Sequence, residues 1–124
     1  MRPVRVVIAD DEPDVLFLLE IQLQDSDGID VVGKAANGKE AVALCRELRP
    51  DAVVIDLLMP VVNGFQAIED LRTDMPELHV VAYTAVAGEY VRAETDRLGA
   101  DLVLKSGDIA QLATRLREGR TRPA

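Results

Sequence analysis

Five short apolar runs alternate along the chain with segments in which apolar residues recur every three or four positions. The runs are VRVVIA (4–9), IDVVGKA (29–35), DAVVIDL (51–57), LHVVAYT (78–84) and DLVLK (101–105). Runs of this length predict strands, and the spacing between them predicts helices. Because the two patterns alternate throughout, the chain is predicted to be an α/β protein: a parallel sheet with helices on both faces and right-handed crossovers.

Local signals predict where some of the helices begin and end. The second helix is expected to start after Asn37, which has the spacing of a capping pair with Glu40, and to stop at Arg49 and Pro50. The apolar residues of this helix and of the last one recur at helical spacing: Ala41, Leu44, Cys45 and Leu48, then Ile109, Leu112, Ala113 and Leu116. The fourth helix, within residues 88–99, has few large aliphatic residues. It is predicted to pack weakly, either as an ordinary solvated helix or as a surface that shifts towards a partner.

Length and composition agree with a single small domain. A chain of 124 residues is expected to form one domain with a real core. The sequence is 48% hydrophobic but only 3% aromatic, so Val, Leu, Ile and Ala must build that core. We expect the domain to cover residues 1–118 and residues 119–124 to form a C-terminal tail or the start of a linker.

Charge and cysteine content exclude several kinds of function. The net charge of −8 should repel nucleic acid and anionic lipid, so direct binding to either is not expected. Cys45 is the only cysteine, which excludes an internal disulfide. The sequence has no apolar run of membrane-spanning length and no signal-peptide pattern, and the predicted location is therefore the cytoplasm.

Polar and charged side chains lie where the predicted strands end. Asp10 and Asp11 end the first strand and Asp56 ends the third. Thr84 ends the fourth strand and Lys105 the fifth. The carboxyl ends of parallel strands form one rim, where ligands bind in open α/β sheets. Clustered carboxylates repel each other unless a cation neutralises them, and oxygen ligands in an open crevice suit Mg²⁺, which predicts a magnesium site at this rim.

The same rim has the groups that phosphoryl transfer to an aspartate requires. Asp56 is a carboxylate nucleophile, and an ionised carboxylate needs no base. The ammonium of Lys105 and the hydroxyl of Thr84 can bind the remaining phosphoryl oxygens, while the metal offsets their charge. The sequence therefore predicts phosphorylation of Asp56, with Thr84 and Lys105 as its catalytic partners.

Nearly the whole chain resembles the receiver domain of two-component response regulators. The resemblance is carried in order by IADDEPDV, VVIDLLMPVVNGFQAI, VVAYTA and GADLVLKS. It implies a flavodoxin-like fold with strand order 2-1-3-4-5 and a Mg²⁺ site formed by Asp10, Asp11, Asp56 and the backbone carbonyl of Leu58. It also implies that Met59-Pro60 and Asn63-Gly64 shape the loop beside the site.

The resemblance further implies a place in a signalling pathway. A partner histidine kinase would donate the phosphoryl group, and the chain would act as a switch that catalyses only its own phosphorylation and dephosphorylation. The output is left open between a C-terminal DNA-binding domain and a separate partner protein, as is homodimer formation on phosphorylation.

Two positions depart from the usual receiver pattern. Ser106 follows the lysine where the family usually has proline, and Leu102 stands where the family has an aromatic switch residue. Tyr83 and Tyr90 are the candidates to replace that aromatic, and each also fits an ordinary packing or surface role. Leu58 and Val86, each two residues beyond an active residue, are apolar and cannot hold an attacking water, which predicts slow self-dephosphorylation.

Two other functions on the same architecture are alternatives. An aspartate-nucleophile phosphatase requires a second acid two residues after the nucleophile, and that position is Leu58. A nucleotide- or flavin-binding module requires a glycine-rich turn after the first strand, and ADDEPD has no glycine. His79 lies inside the fourth apolar run and is interpreted as a strand residue with no role in phosphorelay.

Overall fold

The computed structural model describes residues 2–59, 63–85, 88–105 and 109–121. Its five strands form one parallel sheet in the order β2-β1-β3-β4-β5, which confirms the predicted fold class and strand order. The strands are β1 (Val4–Ala9), β2 (Ile29–Ala35), β3 (Ala52–Ile55), β4 (His79–Thr84) and β5 (Asp101–Leu104). The helices are α1 (Pro13–Gln24), α2 (Gly38–Leu48), α3 (Gly64–Asp74), α4 (Glu89–Arg97) and α5 (Ile109–Thr121).

The sheet separates two hydrophobic cores. Successive strand residues point to opposite faces, so Val7 and Ile55 pack with α2 and α3, while Ile8 and Val54 pack with α1 and α5. The central strands β1, β3 and β4 are largely buried on both faces, which explains why they are nearly continuous apolar runs without polar alternation. The helical residues that complete these cores include Ala41, Cys45, Ala67, Ile68, Leu71, Leu19, Leu23, Leu112, Ala113 and Leu116.

The ends of α2 lie where the local signals predicted them. The side chain of Asn37 accepts a hydrogen bond from the backbone N–H of Glu40 at 2.9 Å, and the Glu40 carboxylate accepts one from the N–H of Ala36 at 2.9 Å. At the other end Arg49 adopts the left-handed conformation with φ of 50°. This conformation ends the helix before Pro50 and lets the N–H of Arg49 bond the carbonyl of Cys45.

Three further features bear on the predictions. Cys45 is a free, buried thiol whose burial raises its pKa to about 12, so it remains protonated and unreactive in the folded protein. Helix α5 runs to Thr121, past the domain limit predicted at residue 118. Among the residues that the structure describes, no helix is both long and apolar enough to cross a membrane.

Candidate functional site

The strand register brings the predicted site residues to one rim. Ala9 of β1 pairs with Ile55 of β3, so Asp10 and Asp56 leave the sheet side by side. The backbone N–H of Asp56 donates to the carbonyl of Ala9 at 3.1 Å. At the other side of the rim, the N–H of Lys105 donates to the carbonyl of Thr84 at 2.9 Å.

Lys105 lies between two of the aspartates. Its Nζ is 2.7 Å from Asp10 Oδ2 and 3.2 Å from Asp56 Oδ2. Burial alone would lower the pKa of Lys105, but hydrogen bonds and charge attraction from Asp10 and Asp56 outweigh it and raise this pKa. Lys105 is therefore charged at neutral pH and partly compensates two buried carboxylates.

The second oxygen of each buried carboxylate is held by backbone. Asp10 Oδ1 accepts from the N–H of Glu12 at 3.0 Å, and Asp56 Oδ1 accepts from the N–H of Leu58 at 3.1 Å. In both cases an aspartate bonds the backbone two residues ahead, which is the usual turn chemistry of this side chain. Each carboxylate is thus fixed in orientation by one backbone N–H and by Lys105.

Gly64, at the start of α3, lies close against the backbone of Asp56 and Leu57. The N–H of Gly64 donates to the carbonyl of Leu57 at 3.1 Å. A Cβ on Gly64 would lie 2.5 Å from the carbonyl oxygen of Asp56 and 2.5 Å from the Cα of Leu57. The position therefore requires glycine because of close backbone approach, and the Asn63 side chain, which accepts from the N–H of Gln66 at 3.0 Å, starts α3 beside it.

Three carboxylates at this rim could hold a metal ion. One oxygen from each of Asp10, Asp11 and Asp56 lies within 4.8 Å of the other two. Asp10 and Asp56 are buried, while Asp11 is exposed at the mouth of the crevice. An all-oxygen donor set with one side open to solvent fits a hard cation such as Mg²⁺, which retains several of its waters.

The other residues singled out in the sequence lie at different depths. Thr84 is fully buried at the end of β4, whereas the side chain of Leu58 is 63% exposed. Tyr83 is half-buried and lines a cavity of about 270 Å³ with Leu18, Lys105 and Ile109. Leu102 packs partly buried against the core next to α2 and α3. Val86 and Ser106 lie outside the described residues.

His79 is the first residue of β4, at the end of the sheet opposite to the aspartates. Its Nε2 lies 2.7 Å from Asp101 Oδ2. This position agrees with its interpretation as a strand residue. His79 and Thr84 are at opposite ends of β4, so His79 lies away from the site.

Sequence reasoning assigned no role to two contacts between helices and distant segments. The rings of Phe65 and Tyr90 meet edge to face, with centroids 6.0 Å apart. The guanidinium of Arg72 donates to four backbone carbonyls, those of Pro76, Leu78, Leu98 and Gly99. Neither contact has a local sequence signal, because the partners are 25 or more residues apart or are backbone atoms.

The charge of Lys105 makes a testable contribution to stability. Its folded pKa is raised above the ordinary lysine value of 10.5, so its ion pairs stabilise the fold fully below that pH and are lost as pH rises through the raised value. We expect Lys105→Met to lower the free energy of unfolding at neutral pH, and the difference from wild type to shrink at strongly alkaline pH. Urea unfolding of both proteins across this range measures it.

Lys34→Met is the matched control for that experiment. Lys34 pairs with Glu20 at 3.0 Å, but both side chains are substantially exposed. An exposed ion pair contributes little to the free energy of unfolding, so the stability of this variant should remain close to that of wild type at every pH. The difference in the free energy of unfolding between wild type and Lys105→Met should shrink as lysine loses its charge. If it stayed constant through that pH range, the stabilisation would not come from the charge of Lys105.

Comparison with known proteins shows the family of this chain. The family model described as the response regulator receiver domain matches residues 6–117. The chain belongs to the response regulator receiver family. A receiver domain is a phosphoacceptor signalling switch of two-component systems.

Individual relatives support the same assignment. This receiver domain is 31% identical to the response regulator protein VraR of Staphylococcus saprophyticus over 94% of this chain and 56% of that protein. It is 35% identical to protein CcdB of Bacillus subtilis over 82% of this chain and 84% of that protein. It also matches 24% of the length of a protein-glutamate methylesterase of Myxococcus xanthus, at 40% identity over 69% of this chain. The chain thus spans about half or less of the length of two of these relatives.

Solved structures show the same architecture. The signal receiver domain of NarL from Mycobacterium tuberculosis superimposes with a TM-score of 0.91 at 25% identity, covering 98% of this chain and all of that one. The response regulator domain of CheB from Thermotoga maritima gives a TM-score of 0.91 at 27% identity, covering 99% of this chain and all of that one. The receiver domain described here therefore has the fold of these domains.

Proposed function

We propose that the receiver domain accepts a phosphoryl group on Asp56 from a phosphohistidine of a partner kinase. An Asp56 carboxylate oxygen attacks phosphorus and forms an O–P bond. The N–P bond to the histidine breaks, and the imidazole leaves with the electron pair and takes up a proton. The observation that supports Asp56 is its position: a buried carboxylate at the rim, oriented by Leu58 N–H and adjacent to the ammonium of Lys105.

The residues around Asp56 fit the charge changes of this reaction. Transfer adds a dianionic group where two buried carboxylates already lie, so positive charge and donors must be present beforehand. Lys105 is charged and lies within 3.2 Å of Asp56, from where its ammonium can meet a phosphoryl oxygen. Thr84 ends the neighbouring strand, and its hydroxyl is proposed to donate to another phosphoryl oxygen.

We also propose that this site binds Mg²⁺. Asp10, Asp11 and Asp56 would hold it, together with the backbone carbonyl of Leu58, and their all-oxygen chemistry supports this choice. When bound, Mg²⁺ supplies positive charge that offsets the charge of the phosphoryl oxygens. Asp11, the exposed member of the set, is available to an ion arriving from solvent, whereas Asp10 and Asp56 already share Lys105.

The proposed activity is limited to the domain itself. The chain would catalyse only its own phosphorylation and dephosphorylation, because the position two residues after Asp56 is Leu58, which cannot protonate a leaving group. Within this proposal the receiver unit acts in the cytoplasm and receives its signal from a histidine kinase. A DNA-binding output domain, a separate partner protein and a phosphorylation-dependent homodimer are the candidate outputs.

Intact-mass spectrometry tests the phosphorylation of Asp56. With acetyl phosphate and Mg²⁺, we expect wild type to gain the mass of one phosphoryl group, and Asp56→Asn to gain none because an amide is not a nucleophile here. A chelator should prevent the gain in wild type. Asp51→Asn is a control at a half-buried aspartate next to β3, and it should be modified like wild type. A mass gain that persists in Asp56→Asn would place the modification elsewhere.

A further inference from the structure

His79 links two neighbouring strands at the end of the sheet opposite to the aspartate rim. It is the first residue of β4, and Asp101 is the first residue of β5. His79 Nε2 lies 2.7 Å from Asp101 Oδ2, and only 12% and 15% of the two side chains are exposed. An ionised carboxylate accepts hydrogen bonds and donates none, so Nε2 carries the hydrogen. This bond fixes the orientation of the imidazole ring.

The other edge of the imidazole ring lies against helix α5 at a glycine. Gly119 lies in the last turn of α5, which ends at Thr121. A Cβ on Gly119 would overlap His79 at Nδ1, Cε1 and Cγ, so the ring occupies the space that a side chain would need. Among the described residues, Nδ1 is buried and has no hydrogen-bond partner. The ring therefore meets α5 by packing against its backbone.

Glycine is an unfavourable residue for this position in the helix. It destabilises a helix interior relative to alanine, because its backbone loses more conformational freedom on folding. The local backbone does not require it either: among the described residues, the glycines with positive φ are Gly28 and Gly99. The close approach of the imidazole ring is the feature of the structure that requires glycine at residue 119.

Charged groups from α3 and α5 surround the pair of His79 and Asp101. Arg115 Nη1 of α5 lies 3.6 Å from Asp101 Oδ1. Arg72 of α3 donates to the carbonyl of Leu78, the residue before His79, at 2.6 Å. Burial lowers the pKa of Arg72, and the charge of Asp101 opposes this shift. Asp101 is therefore held by positive groups on one side while it orients the imidazole on the other.

We propose that His79, Asp101, Arg115 and Gly119 form a latch that fixes the end of α5 against the sheet. Arg115 and Gly119 are one turn apart on the same face of α5, so one contact is to β5 and the other to β4. His79 is the positioning residue, and Asp101 holds its ring in place. The latch thereby sets the position from which the chain continues after Thr121. It lies at the opposite end of β4 from the rim and is separate from the proposed phosphorylation site.

NMR of the single histidine tests the contact directly. The sequence has one histidine, so the imidazole signals of the untagged chain come from His79 alone. Gly119→Ala places a methyl group where the ring lies, and we expect these signals to shift. We also expect the amide protons in the last turns of α5 to exchange about tenfold faster, the factor that corresponds to losing one ordinary hydrogen bond. Helix propensity alone predicts the opposite, because alanine favours the helix.

Removal of the ring should reverse the effect of the same substitution. His79→Ala alone should accelerate amide exchange at the end of α5, because the latch is lost. Adding Gly119→Ala to His79→Ala should then slow exchange, since the methyl group meets no ring and only the gain in helix propensity remains. Thr114→Ala is the matched control at an exposed position of α5. It should leave the imidazole signals in place and should not accelerate exchange in either background.

The latch and the rim should also be separable by mass spectrometry. With acetyl phosphate and Mg²⁺, the mass gain of His79→Ala should equal that of wild type, and a reduced gain would contradict the separation of the two sites.

Unmoved imidazole signals in Gly119→Ala, or the same change in exchange with and without His79, would overturn the latch. If Gly119→Ala does not fold, recovery of folding on adding His79→Ala supports the latch, and failure to recover overturns it.

Discussion

Replacing Gly64 by Ala is expected to destabilise the domain by about 2 kcal/mol, the usual cost of forcing extra volume into a packed site. The added Cβ would lie 2.5 Å from the Asp56 carbonyl oxygen and 2.5 Å from the Leu57 Cα. Both are backbone atoms next to the nucleophile, so relief of the clash must displace the loop that carries it. We therefore also expect slower phosphorylation of Asp56. Urea unfolding measures the first effect, and the time course of the mass gain measures the second.

Gly88→Ala is the matched control for this prediction. Gly88 precedes α4 as Gly64 begins α3, but among the residues that the structure describes, a Cβ there would meet no atom within 4 Å. Its φ of −76° is also open to alanine. The loss of a glycine N-cap should cost less than about 1 kcal/mol, and the phosphorylation rate should not change. Equal effects of the two substitutions would mean that close approach at Gly64 is not the cause.

Replacing Arg72 by Ala is expected to destabilise the domain by about 3 kcal/mol, because it leaves carbonyl groups without a donor where water has limited access. The guanidinium bonds Leu98 O at 2.7 Å and Leu78 O at 2.6 Å, both in partly buried surroundings. Its NH2 group also bonds Gly99 O at 2.6 Å, which ties α3 to the start of β5. Chemical denaturation of variant and wild type measures the loss.

The geometry of the donors makes a further distinction. Lysine carries the same charge, but it cannot reproduce a planar group that reaches several carbonyls at once, so Arg72→Lys should recover only part of the loss. Arg46→Ala removes an exposed arginine that pairs with Asp74 on the surface, and it should cost less than about 1 kcal/mol. Full recovery by lysine would mean that charge alone, and not the fork of donors, holds α4 in place.

These two substitutions act at the two ends of one unit. Gly64 adjoins the contact of Phe65 with Tyr90, and Arg72 holds the far end of α4. Loss of the Arg72 anchor should loosen α4 without altering the rim, whereas crowding at Gly64 should alter the rim directly. Comparing phosphorylation rates of the two variants therefore separates the effect of crowding at the rim from the effect of loosening α4.

Much of the fold could be predicted because its signals are local. Strands buried on both faces are continuous apolar runs, and helices between them have an apolar stripe, so alternation alone predicts a parallel α/β sheet. The capping pair of Asn37 and Glu40 and the stop at Arg49 are also local, and the structure has both. Strand ends were predicted less closely: the third apolar run covers 51–57, whereas β3 is Ala52–Ile55. The side chain of Asp56 accepts a hydrogen bond from the N–H of Leu58, and this turn directs the backbone out of the sheet before the apolar run ends.

The sequence by itself determined which chemical groups the site contains, because side chains at the carboxyl ends of parallel strands must share one rim. Only the tertiary structure decided how they meet: Lys105 bridges Asp10 and Asp56 across 95 and 49 residues of sequence. It likewise decided that Phe65 meets Tyr90 and that Arg72 binds the end of α4. Contacts of this kind depend on packing between distant segments, and no periodicity or spacing along the chain records the relative placement of two helices.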